Sequence, residues 1–512
     1  MTANAREGTR AVILGSDIVE RWARREDQAL LTDLYQLTMM YGYWRTGRHR
    51  LRVSFEYFFR NLPPHTGFAV SCGLEQFLDY LDNLHFTDGD LAYLESLGLF
   101  DGPFLEYLRG FQPQVDVYAV PEGTLMFPHE PALRVEGGLA EAQLIETAVL
   151  NCLNYATLVA TKTARVRLAA GDDYVMEFGL RRAQGPDGGL TGSRAAFVGG
   201  ADATSNVLAG RLYGIPVRGT HAHSWVMSFP DELSAFRAYA QIYPDSTLLL
   251  VDTYDTLTSG LPHAVQVFRE LREAGHHAQG AVRLDSGDLA KLSKAAHCMF
   301  TEAGFAHPTI VASNELDEDL IADLKRQGAK VNSWGVGTHL ITASTQPALG
   351  GIYKLVAVAD DGGWWEPRLK LSSNPAKMTD PGRKQVVRYR DEAGHPLGDI
   401  LYLTDEELPD VEASMPYVPR DMLAFRRVLE GAAQAEPLLR PVAKAGRRLE
   451  PSPSLTEVRR RAQQEMRSLP DEYRRLRNPH VYEVGLSLPL GRVKTRLVRE
   501  GQAGSAAPCG SL

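Results

Sequence analysis

Apolar residues recur along this chain in two rhythms. In the first part they mix. Leu34, Leu37, Thr38 and Tyr41 fall at helical spacing within LLTDLYQLTMMYGYW, and LRVSFEYFFRNLP reads as a strand ending in a Pro-Pro turn. Phe68 to about Arg109 reads as helical, and Val115 to Val135 alternates as short strands punctuated by Pro and Gly. Near Glu141 a long helical pattern begins and runs to about Ala170. Beyond it one unit repeats: an apolar strand, a polar or glycine-bearing tip, then an amphipathic helix. DYVMEF stops at Gly179, GIPVRGT leads to His221, Ala222 and His223, and STLLLV stops at Asp252. GAVRL stops at Asp285, PTIVA at Ser313 and Asn314, and AKVNSW at the glycine loop GVGTHL.

Strand–helix alternation predicts a parallel sheet with crossover helices. The number of units favours an α/β fold closed as an irregular TIM-like barrel over an open sheet. In either case ligands bind beyond the carboxyl ends of the strands, where the chain puts Arg181, His223, Asp252, Asp285, Asn314 and the glycine loop. The predicted organisation is an arm over residues 1–27, an α+β segment over 28–140 and the barrel core over 141–350. A segment over 351–500 returns to short strands, and 501–512 is expected to be a disordered tail, being poor in apolar residues. The run of three arginines in SLTEVRRRAQQEMRSLPDEYRRL is read as a solvated helix face.

Composition narrows the class. A chain of 512 residues calls for two or three domains, and its 44% hydrophobic and 23% charged residues are ordinary for a globular protein. A formal net charge of -8 argues against a dedicated nucleic-acid binder but leaves room for small phosphate ligands. The N-terminal apolar run AVILG is far short of the ~18 residues of a membrane span, no later stretch is read as longer, and no signal peptide is evident. Cys72, Cys152, Cys298 and Cys509 show no paired spacing, so neither zinc cluster nor disulfide framework is expected. A cytoplasmic location is the expectation.

The strand tips carry the chemistry. If IPVRG continues as a strand, His221 and His223 share one face, as metal ligands, as a nucleophile with its neighbour, or as structural groups. Metal is disfavoured, with no His or Cys cluster nearby in sequence. Asp285 and Ser286 could simply cap the next helix. That leaves Arg283 unexplained, since a charge inside an apolar strand needs an ion partner or a bound anion. Asp252, Asp255 and Asp288 add acidic groups that could hold magnesium through water. In GVGTHL, glycines let backbone amides approach a phosphate and Thr338 offers a hydroxyl. Phe178, Gly179, Arg181 and Arg182 combine an aromatic face with guanidinium groups, suited to a flat anionic ring. The Walker phosphate loop and the H-E-x-x-H metalloprotease motif are both missing.

Taken in order, LLTDLYQLTMMYGYW, SFEYFFRNLP, EFGLRRAQGPDGG, GGADATSNVLAG, PVRGTHAHSWVMSF, LLVDTYDT, RLDSGDL, ASNELDE, GVGTHL and NPHVYEVGLS resemble the nicotinate phosphoribosyltransferase family from about residue 30 to about 490. The resemblance implies a barrel-like core, a second α+β domain built from the N- and C-terminal segments, and a homodimer. The reaction implied joins nicotinate to phosphoribosyl pyrophosphate, giving nicotinate mononucleotide and pyrophosphate. It is a ligase-type reaction coupled to ATP, with Mg2+, and the first step of NAD salvage from nicotinate. By the same resemblance His223 is phosphorylated by ATP and Asp252 orients its ring. Phe178 stacks on the pyridine, with Tyr35 and Asp33 reaching in from the other subunit. Arg283 holds the nicotinate carboxylate, Arg181 the pyrophosphate side, and Asp285 the ribose or the magnesium shell. Gly335, Gly337 and Thr338 cradle the 5-phosphate, beside Ser313 and Asn314. Ser205 stands where the nicotinamide-using relative has an aspartate, which would select the acid. The rivals are that relative, a quinolinate-using relative for which this chain looks too long, and a catalytically silent binding protein of the same fold.

Overall fold

The computed structural model describes residues 28–360, 362–372 and 378–505. The expected arm, 1–27, lies outside them. Of the tail expected over 501–512, residues 501–505 instead end helix Leu488–Ser505, and the rest lies outside the described residues.

Helix α1 (Leu34–Arg45) buries Gln36, Leu37 and Met40, while Leu34 and Tyr35 stay exposed, so the inward stripe is displaced from the one the spacing suggested. Phe68 to Arg109 resolves into a short strand and three helices, Leu74–Asn83, Asp88–Ser96 and Gly102–Arg109. The last two are capped by Thr87 and Asp101, which accept backbone N–H groups. Both ends of the chain contribute to one seven-stranded sheet. Strand Arg52–Phe59 lies between Leu133–Gly138 and Gly351–Ala359, antiparallel to both. A strand paired on both edges and covered on both faces has no solvent side to alternate toward, which is why SFEYFF buries every residue, Glu56 included.

Helix α2 (Glu146–Ala170) is the spine of the next region. With the turn before it, Leu139–Ala170 is long and apolar enough to cross a membrane by length and composition, contrary to the reading that no such stretch exists; 67% of its most apolar window is buried in the protein. Its Lys162 and Arg165 both pair with buried Glu318, at 2.5 and 2.9 Å. Helix α3 (Gly185–Gly199) crosses α2 so closely that a Cβ at Gly199 would strike the Ala160 carbonyl.

Six strands form the parallel sheet: β1 (Tyr174–Glu177), β2 (Ala203–Thr204), β3 (Leu249–Leu250), β4 (Ala281–Leu284), β5 (Thr309–Ala312) and β6 (Ser333–Val336). Their order is β2-β1-β6-β5-β4-β3, each pair parallel. After β2, helix α4 (Val207–Tyr213) leaves Val207, Leu208 and Leu212 exposed. The expected strand GIPVRGT is reduced to a single bridge, Val217 to Thr204, and His223 opens a short helix, α5 (His223–Met227). His221 and His223 therefore do not share a strand face.

The arginine run lies on α6 (Leu455–Ser468), and it is not a solvated face. Arg459 donates to Asp202 Oδ1 at 2.5 Å and Arg461 to the Glu122 carbonyl at 2.6 Å, strapping the helix down, while Arg460 reaches only Gln464 on the same helix.

Candidate functional site

At the carboxyl ends of the parallel strands lies a cavity of about 240 Å³. Phe178 and Arg181 follow β1, Ser205 follows β2, Arg283 and Asp285 stand on and after β4, and Ser313 and Asn314 follow β5. Gly335 on β6, with Gly337 and Thr338 after it, completes the wall. Residues spread over some 160 positions of sequence thus meet because each ends a strand of one sheet. Arg182, grouped in the sequence with Phe178 and Arg181, lines the cavity with them; Gly219, Thr220 and Glu315 also line it, and sequence reasoning assigned those three no role. For Gly219 and Thr220 the available signal was their place in the RGTHAHS tip. For Glu315 it was its place after Ser313 and Asn314.

One wall is an aromatic ring. Phe178 packs on Gly335, where a Cβ would come within 2.7 Å of its ring carbons, so only glycine lets the ring lie flat against β6. Arg283 enters from β4 half-buried. Its Nε has no hydrogen-bond partner among the described residues. Burial pushes this guanidinium down, Asp285 and Asp252 hold it up, and Arg181 opposes them. A half-buried guanidinium that lines a cavity is a receptor for an anion. Asn314 and Glu315 both have positive φ, 85° and 37°. This uncommon backbone turns the chain across the cavity rim, so that Glu315 accepts from Thr338 Oγ1 and pairs with His339 Nε2, both at 3.2 Å.

Asp252 lies behind this wall, its side chain 1% exposed. Its Oδ2 accepts from the Asp285 N–H at 2.8 Å and the Ser286 hydroxyl at 2.7 Å, while its Oδ1 is buried without a hydrogen-bond partner. His223 Nε2 stands 4.0 Å from that Oδ1, and His223 Nδ1 is 3.1 Å from Thr253 Oγ1. His221 is tied elsewhere. Burial pushes its imidazole down to about 4, its Nε2 accepts the Leu250 N–H at 3.2 Å, and its Nδ1 faces the Ala222 carbonyl. It is a neutral ring built into the edge of β3.

The acidic groups divide. Asp255 accepts the N–H groups of Leu257 and Thr258, and Asp288 that of Lys291, so both are helix caps; Asp288 takes the capping role offered for Asp285 and Ser286. Among the described residues no group of three or more His, Cys, Asp or Glu side chains could hold a metal ion. Buried Asp252 Oδ1 and the Asp285 carboxylate, whose Oδ1 accepts the Ser313 hydroxyl, are what remains, which fits an ion held mainly by substrate phosphates and water and not by a protein cage. Asp33 and Tyr35 do not line this cavity within the chain. Asp33 accepts from Thr147 Oγ1 at 3.0 Å at the start of α1, and Tyr35 is exposed beside it.

Family models cover nearly all of the described chain. The N-terminal domain of nicotinate phosphoribosyltransferase matches residues 30–154, the nicotinate phosphoribosyltransferase family model residues 174–387, and the C-terminal domain residues 383–494. The nicotinate phosphoribosyltransferase of Bacillus subtilis is 44% identical over 471 residues, 92% of this chain and 95% of that protein. The crystal structure of human nicotinic acid phosphoribosyltransferase superposes with a TM-score of 0.79 at 39% identity, covering 91% of this chain and 99% of that one. A nicotinate-nucleotide pyrophosphorylase from Pyrococcus furiosus superposes with a TM-score of 0.66 at 25% identity, covering 86% and 95%. The chain belongs to the nicotinate phosphoribosyltransferase family.

Proposed function

We propose that this chain transfers the phosphoribosyl group of phosphoribosyl pyrophosphate to nicotinate, releasing pyrophosphate and nicotinate mononucleotide, with ATP spent through a phosphate carried on His223. The observation that supports this best is the cavity itself. An aromatic wall, a half-buried guanidinium and a glycine-bearing loop lie within one small space at the strand tips. The pyridine lies on Phe178, its carboxylate meets Arg283, and Ser205 offers a neutral hydroxyl that favours the acid over the amide. Arg181 receives the pyrophosphate side, and Gly335, Gly337 and Thr338 receive the 5-phosphate beside Ser313 and Asn314.

Breaking the bond between ribose C1 and pyrophosphate builds positive charge on the sugar and negative charge on the leaving group, so the protein's work is mainly electrostatic. The nicotinate nitrogen is already a nucleophile and needs no strong base. Mg2+ would be held by the substrate phosphates with the Asp285 carboxylate, Asp252 keeping its one unengaged oxygen for His223, and would supply charge neutralisation. Protonated at Nε2, which faces Asp252, the His223 ring presents Nδ1 for attack on the γ-phosphate of ATP; the bond from that phosphorus to the β-phosphate oxygen breaks, ADP leaves, and water later cleaves the phosphohistidine to inorganic phosphate. The added charge, roughly -1.5 to -2 by analogy with other phosphorylated side chains, reorders the arginines around it.

The barrel is completed, on this reading, by residues 216–222 between edge strands β2 and β3. Support comes from the Val217 bridge to Thr204, Thr220 Oγ1 donating to the Leu248 carbonyl at 2.8 Å, and the Leu250 N–H on His221. The seven-stranded sheet that both ends of the chain build is the second domain. The working unit is a homodimer in which Asp33 and Tyr35 reach the partner's cavity. Exposed Leu31, Leu34 and Tyr35 at α1, and Val207, Leu208 and Leu212 on α4, are apolar surface suited to that contact.

Purified protein given nicotinate, phosphoribosyl pyrophosphate and Mg-ATP should release pyrophosphate and carry acid-labile phosphate. Neither appearing would sink the reaction and the carrier role together.

A further inference from the structure

One buried acid beside the cavity has no role in the reaction above. Glu177 is the last residue of β1, fully buried, and directly precedes Phe178. Its Oε1 accepts the N–H of Gly179. Its Oε2 accepts the Thr204 hydroxyl at 2.5 Å and the Ser193 hydroxyl at 2.9 Å. Its own carbonyl accepts the N–H of Ser205 at 2.9 Å. Glu177 thus holds three elements at once: the turn after β1 that carries Phe178, the end of β2 that carries Ser205, and the inner face of α3. Asn206 continues the network, its N–H donating to Thr204 Oγ1 at 3.0 Å and its side-chain amide to Ser193 Oγ at 3.2 Å. Burial pushes the Glu177 carboxyl up, against the pull of Thr204, Gly179 and Ser193. No cation pairs with it in that network; the Gly179 N–H, the Thr204 hydroxyl and a Ser193 hydroxyl shared with the Gly189 carbonyl offset the cost of burying it.

We propose that Glu177 is a positioning residue that sets the spacing between the Phe178 ring and Ser205, and so determines affinity and selectivity for the pyridine. This rests on the reading of the cavity as a nicotinate site. The groups next to its bonds, Phe178 and Ser205, are those that meet the pyridine; Arg181, on the pyrophosphate side, comes two residues beyond Gly179 in the same turn and is tied less directly. The Gly337–Thr338 loop, which meets phosphate, hydrogen-bonds to it nowhere. A defect at Glu177 should therefore fall on one substrate.

Glu177→Gln tests this. The side chain keeps its size, but an amide NH2 replaces an acceptor oxygen, so the Gly179 N–H or the Thr204 and Ser193 hydroxyls must give up or reverse their present bonds. The expected result is a nicotinate KM raised roughly tenfold or more, a lowered preference for nicotinate over nicotinamide, and a KM for phosphoribosyl pyrophosphate within about twofold of the parent. Labelling of His223 from ATP should also stay unchanged. Thr204→Val, which removes one donor and leaves the carboxylate, should raise the nicotinate KM in the same direction by a smaller factor, and it decides the matter if Glu177→Gln does not fold. An unchanged nicotinate KM in both variants, or an equal loss for both substrates, overturns the proposal. Calorimetric binding of nicotinate needs no turnover, so failure of the reaction and failure of the Glu177 role are told apart; parent protein that binds no nicotinate sinks both.

Discussion

Asp252 Oδ1 and His223 Nε2 face each other across 4.0 Å, a gap too wide for a hydrogen bond, and the carboxylate oxygen on its side has no other partner among the described residues. The other oxygen is fully engaged by Asp285 and Ser286. An unsatisfied acceptor held this firmly is placed to receive an N–H if the ring turns toward it, and the His223 side chain is 40% exposed at the start of a short helix.

Asp252→Asn should therefore spare the fold and strike the chemistry. The amide oxygen can still accept from Asp285 and Ser286, but the side chain can no longer stabilise a charged or tautomer-fixed imidazole. Transfer of label from the γ-phosphate of ATP to the protein should slow by roughly 100-fold or more, the usual range for a lost acid–base partner. Labelling at the parent rate would show that Thr253, on Nδ1, orients the ring alone.

His223→Ala should abolish acid-labile phosphate and the stimulation of turnover by ATP, while leaving weak ATP-independent synthesis, because the cavity residues proposed to bind both substrates are untouched. Full loss of synthesis with and without ATP would place His223 in direct contact with the reacting atoms.

Selectivity between acid and amide is expected to turn on Ser205. A carboxylate introduced there shares a small cavity with the carboxylate of nicotinate. Ser205→Asp should lower the ratio of kcat/KM for nicotinate over nicotinamide by roughly 10- to 100-fold, about 1.4–2.8 kcal/mol. If the ratio holds, discrimination lies with Arg283 instead.

Most of the cavity was legible in the sequence because its logic is local. An apolar run that stops at a charged, polar or glycine residue marks a strand tip, and a parallel sheet brings all tips to one end, so Arg181, Asp285, Asn314 and the glycine loop group together in the sequence, along with His223 and Asp252, which stand outside the cavity lining. What escaped depends on partners distant in sequence. GIPVRGT has the composition of a strand, yet its ladder is replaced by side-chain bonds from Thr220 and His221 to residues 248 and 250, so the histidine pair does not alternate on a face. The arginines of α6 read as surface because Asp202 and the Glu122 carbonyl lie hundreds of residues away. Glu315 enters the cavity only because two successive residues adopt positive φ, which a Ser-Asn-Glu sequence permits but does not announce.

His221 makes stability depend on pH. Folded, its imidazole is pushed down to about 4, mainly by burial; unfolded, it protonates near its ordinary 6.5. Between those values the unfolded chain binds the extra proton, so stability rises with pH across that window and is lost as pH falls through it. His129, pushed down to about 4 mainly by burial and next by Arg420, acts in the same window. Together they should lower Tm on acidification from pH 7 to pH 5. His221→Leu should flatten that slope by removing a term of about 3 kcal/mol at most, while lowering Tm at pH 7 because the Leu250 N–H loses its acceptor. An unaltered slope would mean His221 protonates freely in the folded protein.

Gly335 offers a test of the aromatic wall that changes no polar group. A methyl added there meets Phe178 Cδ2 and Cε2 at 2.7 Å and the Ser313 Cβ at 3.4 Å. The strand cannot retreat, since β6 is hydrogen-bonded between β1 and β5. The ring is the part that can give, and it must tilt or shift into the cavity. Gly335→Ala should accordingly raise the KM for nicotinate by roughly tenfold, because even small displacements of a positioned group are costly. The phosphate loop begins beyond this contact, where a Cβ at Gly337 meets only the Phe178 carbonyl at 3.4 Å, so the KM for phosphoribosyl pyrophosphate should change less. Overpacking also carries a stability cost of about 1–3 kcal/mol, so Tm should fall in step. Equal rises in both KM values would mean that the strand moves as a body and that Phe178 does not yield. A nicotinate KM left at the parent value would remove the ring from the binding surface altogether.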